Sequence, residues 1–87
     1  MGFFKDAFAT LSMVMTGKVL FQIDTPANFG VSTMSLRIKQ KKDGSPYVVL
    51  AGIASGNYQY YAMTAEEFDE FAEAVQTTRG ELTSLKQ

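Results

Sequence analysis

Residues 34–54, MSLRIKQKKDGSPYVVLAGIA, decide the fold. In their first half, Met34, Leu36, Ile38 and Gln40 alternate with Ser35, Arg37, Lys39 and Lys41, the period-two pattern of a half-buried strand. Asp43-Gly44 follows directly and is a two-residue hairpin signal, because both central positions of a type I′ turn need positive φ. Residues 45–54 then form the return strand. With Asp43 and Gly44 as the loop, Ile38 lies opposite Val49, Leu36 opposite Ala51 and Met34 opposite Ile53, and opposed residues share a face. One face is an aliphatic core. The other sets Arg37 and Lys39 against Leu50 and Val48.

Working outward, residues 18–23 alternate as well, with Val19, Phe21 and Ile23 on one side, and the turn-forming run Thr25-Pro26-Ala27-Asn28 with Gly30 closes this strand. On the other flank, Ser55-Gly56-Asn57 leads into a fourth strand, residues 58–63. A three-residue loop there places Gln59, Tyr61 and Met63 on the core face and Tyr58 and Tyr60 beside the bases; a two-residue loop at Gly56-Asn57 reverses both sets. Thr64-Ala65-Glu66-Glu67 is a capping box, and Met63 and Phe68 flank it as a hydrophobic staple. The staple needs Met63 on the core face, which favours the three-residue loop.

The helix so capped carries Phe68, Phe71, Ala72 and Val75 on one side and Glu66, Asp69, Glu70 and Glu73 on the other, with acids suited to its N-terminal dipole. Its stripe continues through Thr78, Leu82 and Leu85, so the helix is expected to reach Lys86 with a possible bend at Gly80, whose cost is about 1 kcal/mol. Before the first strand, Phe4, Phe8, Leu11 and Met15 mark an amphipathic helix ended by Gly17. The expected fold is therefore α+β in a single domain, 1–87: an N-terminal helix (1–17), a four-stranded antiparallel sheet (18–63) and a long C-terminal helix (64–87). Leu82 and Leu85, with Phe4 and Phe8, lie beyond what one such sheet covers. They are the expected homodimer contacts.

At 87 residues with 46% hydrophobic content and 20% charged, the chain is composed as an ordinary globular protein. Without cysteine or histidine it lacks thiolate nucleophiles, imidazole acid-base groups and nearly every zinc site. No nucleophile-base pair, phosphate-binding glycine loop or carboxylate cluster of metal-site geometry compensates. The reading is of a non-enzyme with no cofactor and no metal. No secretory signal or membrane-length apolar run is expected either, which points to a cytoplasmic protein.

The formal charge of −1 conceals a separation. Six bases (Lys5, Lys18, Arg37, Lys39, Lys41, Lys42) face three acids (Asp6, Asp24, Asp43) before residue 61; two (Arg79, Lys86) face six acids after it. Arg37, Lys39 and Lys41 project from one strand face, with Lys42 at the turn, and Tyr58 and Tyr60 are expected on the same surface. Bases that neutralise phosphate beside rings that stack on nucleobases are the chemistry of single-strand binding.

The stretch 60–85, YYAMTAEEFDEFAEAVQTTRGELTSL, together with residues 44–50, resembles the C-terminal half of single-stranded-DNA-binding domains of the positive-cofactor-four and Whirly type. Pur-type repeats share the same order of elements. The resemblance implies a twisted four-stranded sheet, a dimer-forming helix, and single-stranded DNA or RNA bound without strong sequence preference. The chain departs from the pattern in the weakly basic run Asp43-Gly44-Ser45-Pro46-Tyr47 and in Phe68, where some relatives carry Trp. The competing expectation is a protein assembly module using the same sheet face, as its aliphatics suggest. Lysine on a strand also guards sheet edges. An open basic face would favour nucleic acid, and a covered one assembly.

Overall fold

A computed structural model describes residues 17–86. Four strands, β1 (Lys18–Ala27), β2 (Ser32–Gln40), β3 (Pro46–Ala54) and β4 (Asn57–Met63), form an antiparallel meander in the order β1-β2-β3-β4, and helix α1 (Ala65–Lys86) follows. This is the expected α+β sheet-then-helix architecture. The expected N-terminal helix, with Phe4 and Phe8, lies outside the described residues.

The central hairpin differs from expectation by one residue. Ile38 pairs with Val48, Leu36 with Leu50 and Arg37 with Val49. The turn is the cause. Lys41 N–H donates to Ser45 O at 2.9 Å and Gly44 N–H to Lys41 O at 3.0 Å, enclosing a loop of Lys42, Asp43 and Gly44. Only Gly44 is left-handed, at φ +91, as in three-residue hairpins closed by a glycine bulge. Asp43 keeps negative φ, and its carboxylate accepts the Ser45 N–H at 2.9 Å and the Ser45 hydroxyl at 2.6 Å.

The second hairpin slips by one residue too, turning through Ser55-Gly56 with Ala54 paired to Asn57. The expected three-residue loop is thus replaced by a two-residue one at a different place. Because β3 is displaced against both neighbours, only its own parity changes. Val48 and Leu50 face the helix, while Val49, Ala51 and Ile53 turn to the opposite face with Arg37, Lys39, Tyr58 and Tyr60. In β1 a bulge at Leu20 sets Val19 against Lys39 and Phe21 against Ile38, so these two do not share a face.

Helix α1 starts as its sequence dictates. Glu67 N–H donates to Thr64 Oγ1 at 3.1 Å and Thr64 N–H to Glu67 Oε1 at 3.0 Å, the reciprocal capping box. Phe68 lies against Ile38 and Val48, and Phe71 against Leu50, Tyr61 and Met63. The helix contacts β3 and β4 and continues unbroken through Gly80. It buries less than the sequence stripe implied: Phe68 and Ala72 are half-buried, whereas Phe71 and Val75 are exposed.

Candidate nucleic-acid interface

The face opposite α1 takes one residue in two from each strand. Across the sheet it runs Gln22–Arg37–Val49–Ala62, Asp24–Ser35–Ala51–Tyr60 and Pro26–Thr33–Ile53–Tyr58, with Val19–Lys39–Tyr47 towards the β2–β3 turn. Arg37, Lys39, Tyr58 and Tyr60 therefore share one side of the sheet. The centre of that side is not open: Val49, Ala51 and Ser35 are all 0% exposed, Tyr47 is 3% and Lys39 5%.

Burial changes what Lys39 offers. Loss of water lowers the pKa of its ammonium, and the neighbouring Arg37 charge lowers it further, so it is no freely hydrated phosphate contact. The expectation that Lys39 projects into solvent is corrected. Burial similarly pushes the Tyr47 hydroxyl up. Gly17 lies against that hydroxyl at φ +89, where a Cβ would collide with it.

Arg37 is half-buried, and its Nε–H donates to Ser35 Oγ at 3.1 Å. Asp24 stands beside it across β1–β2. The Ser35 hydroxyl, then Gln22 (Nε2 to Oδ1, 3.2 Å), then the Arg37 charge hold the Asp24 carboxyl below its ordinary range. Gln22, Asp24 and Ser35 were absent from the expected site, although strict alternation along β1 and β2 already put them in line with Arg37. The anion at Asp24 offsets much of the positive potential that Arg37 would present to a phosphate.

Lys41 and Lys42 are exposed at the β2–β3 turn, at the opposite end of the sheet from Tyr58. Seven strand steps along β3 separate Ile53, the partner of Tyr58, from Pro46 beside that turn, roughly 23 Å at strand rise. The six expected residues thus fall into three groups: a tyrosine pair, the Arg37–Lys39 strand and a lysine turn. The tyrosines have the geometry best suited to a flat ligand. Tyr58 is 62% exposed and Tyr60 38%, and their rings are parallel within 5° with centroids 6.4 Å apart.

The side towards α1 is apolar and incompletely covered. Phe21 and Ile23 on β1 are more than half exposed, and with Leu36, Ile38, Val48 and Phe68 they line an open cleft beside the helix. Among the described residues there is no cluster of three His, Cys, Asp or Glu suited to a metal ion, and no helix long and apolar enough to cross a membrane. No family model, curated protein or solved structure matches the chain.

Proposed function

We propose that this protein is a non-enzymatic assembly module that works as a homodimer, joined through the α1 side of its sheet. The observation that carries this reading is the set of apolar side chains left in water there: Phe21, Ile23, Tyr61, Val75, Leu82 and Leu85, each about half exposed or more. Together they offer on the order of 600 Å² of accessible surface, most of what one partner contributes to a standard-size interface. Lone exposed apolar residues are ordinary, but here they recur in the cleft at Phe21 and Ile23, beside Tyr61 and along α1 at Val75 and Leu82, which supports an interaction site. Leu82 and Leu85 were the expected dimer contacts. The aliphatics of the expected assembly surface, Val48, Leu50 and Ala54, belong to this side and not to the basic one. Light scattering of the eluting protein tests the reading: a mass of twice the 9.6 kDa chain supports it, and a monomer at high concentration overturns it.

Single-stranded nucleic-acid binding is the second reading, favoured by the parallel, exposed Tyr58 and Tyr60 rings on the same side as Arg37. Each base stacked on such a ring contributes roughly 1–3 kcal/mol. Phosphate contacts would come from Arg37 and the Lys41–Lys42 turn. Fluorescence anisotropy with a labelled oligonucleotide at low salt is the test. Binding that weakens with salt and is lost in Tyr58→Ala with Tyr60→Ala supports it; no binding at tens of micromolar ends it.

A further inference from the structure

The face opposite α1 is dry at its centre. Ser35, Val49 and Ala51 are 0% exposed there, with Tyr47 at 3% and Lys39 at 5%. Ser35 and Ala51 are paired across β2–β3 and carry short side chains, so they form a depression beside Arg37 and Tyr60. A sheet face loses water to this extent under a second layer of structure. Among the described residues, α1 packs on the other side, where Phe68 and Phe71 meet Ile38, Val48 and Leu50, and the single turn at 28–30 holds Phe29 fully in solvent.

Sixteen residues precede Gly17, and Gly17 fixes where they join the sheet. It lies against the Tyr47 hydroxyl and Gln40 O at φ +89, at the β2–β3 turn end of the buried face. A glycine takes that left-handed conformation just past the last turn of a helix, which is where the stripe Phe4, Phe8, Leu11 and Met15 runs out. Length matches as well. Residues 3–15 span about 20 Å as a helix, and the six strand steps from Tyr47 to Ile53 come to about 20 Å. Polarity matches at the same end. The last four carbonyls of a helix have no partner within it and carry its negative pole. Two donors are buried beside that position: the Tyr47 hydroxyl, against Gly17, and the ammonium of Lys39, the residue paired with Tyr47.

We infer that residues 3–15 fold back as a helix over this face of their own chain, so that the sheet lies between two helices. Measured back from Gly17 at helical rise, Leu11 comes about 9 Å and Phe8 about 14 Å along β3. Leu11 then covers Val49, and Phe8 covers the Ser35–Ala51 depression, where short side chains leave room for its ring. Phe4 reaches Ile53. Phe4 and Phe8, expected as contacts with a second subunit, thus close their own sheet. A nucleic acid that uses Arg37 must displace them. The inference does not rest on the homodimer reading, which concerns the other side of the sheet.

Nuclear Overhauser spectra of the full, unmodified chain test it directly. Cross-peaks from the Phe8 ring to the Ala51 methyl are expected, and in a mixture of isotope-labelled and unlabelled protein they are expected within one chain. Their absence overturns the inference, and so do cross-peaks that arise only between different chains. A thiol probe reads the cover separately, because the chain has no cysteine of its own. Maleimide labelling of Ser35→Cys is expected to be slow, and to quicken at least about a hundredfold when Phe8→Asp and Leu11→Asp are added. Val48→Cys, buried on the α1 side, is expected to stay slow in that background. Ser35→Cys labelling that is fast from the start overturns the inference. Labelling that stays slow with both aspartates overturns it too, by assigning the cover to flanking side chains. Should Val48→Cys quicken as well, the variant is unfolded and the Overhauser result decides.

Discussion

Two exposed aspartates show how single residues tie this fold to pH. Asp43 accepts both the hydroxyl and the backbone N–H of Ser45, and Asp24 accepts from Ser35 and Gln22, so both carboxyls ionise below their ordinary range. A folded-state pKa below the unfolded value, about 3.9 for Asp, contributes stability that is present above that value and is lost as pH falls through the depressed one. Urea unfolding followed at a series of pH values should therefore show the midpoint falling below about pH 4. Asp24→Asn combined with Asp43→Asn should flatten that fall; an unchanged slope would show that other carboxylates cause it. Lys39 is the opposite kind of residue: its identity suggested solvent and phosphate, but its 5% exposure places it in the interior of its face.

Among the elements, helix α1 was the most legible, because a capping box and a staple are local chemistry within six consecutive residues, Met63 to Phe68. Gly80 interrupts neither its course nor its neighbours: a Cβ at that position would meet nothing within 4 Å. Gly80→Ala is accordingly expected to stabilise the protein by roughly 0.5–1 kcal/mol in chemical denaturation. A destabilising result would mean that the position is crowded in the assembled state. The strands were legible as strands, but their registers were not. Asp43-Gly44 serves a two-residue loop with both residues left-handed, or a three-residue loop with glycine alone left-handed, and the side-chain bonds from Asp43 to Ser45 accompany the second. One residue of difference moved Val49 and Ala51 from one face of β3 to the other. Tyr58 and Tyr60 kept their expected side because the slip at the second hairpin restored the parity of β4.

At the scale of the whole molecule, the 15.0 Å radius of gyration exceeds the roughly 12 Å of a compact chain this long. The exposed Phe21, Ile23, Val75, Leu82 and Leu85 leave apolar surface that a second subunit would bury, so the proposed dimer should couple stability to concentration. The thermal midpoint is expected to rise with protein concentration in wild type and to become independent of it in Leu82→Asp with Leu85→Asp; a constant wild-type midpoint would count against assembly. The sequence by itself determined the order of elements, the capped start of α1, the presence of two tight turns on either side of β3 and the absence of cysteine and histidine chemistry, all of which depend on residue type and short spacing. Tertiary structure alone decided which side of β3 meets the helix, that Lys39 and Tyr47 are buried, that Lys41 and Lys42 stand far from the tyrosines, and that Phe21 and Ile23 stay more than half exposed beside α1. Those outcomes depend on how turns count residues and on which surfaces lose water when separate segments come together, and no single stretch of chain encodes either.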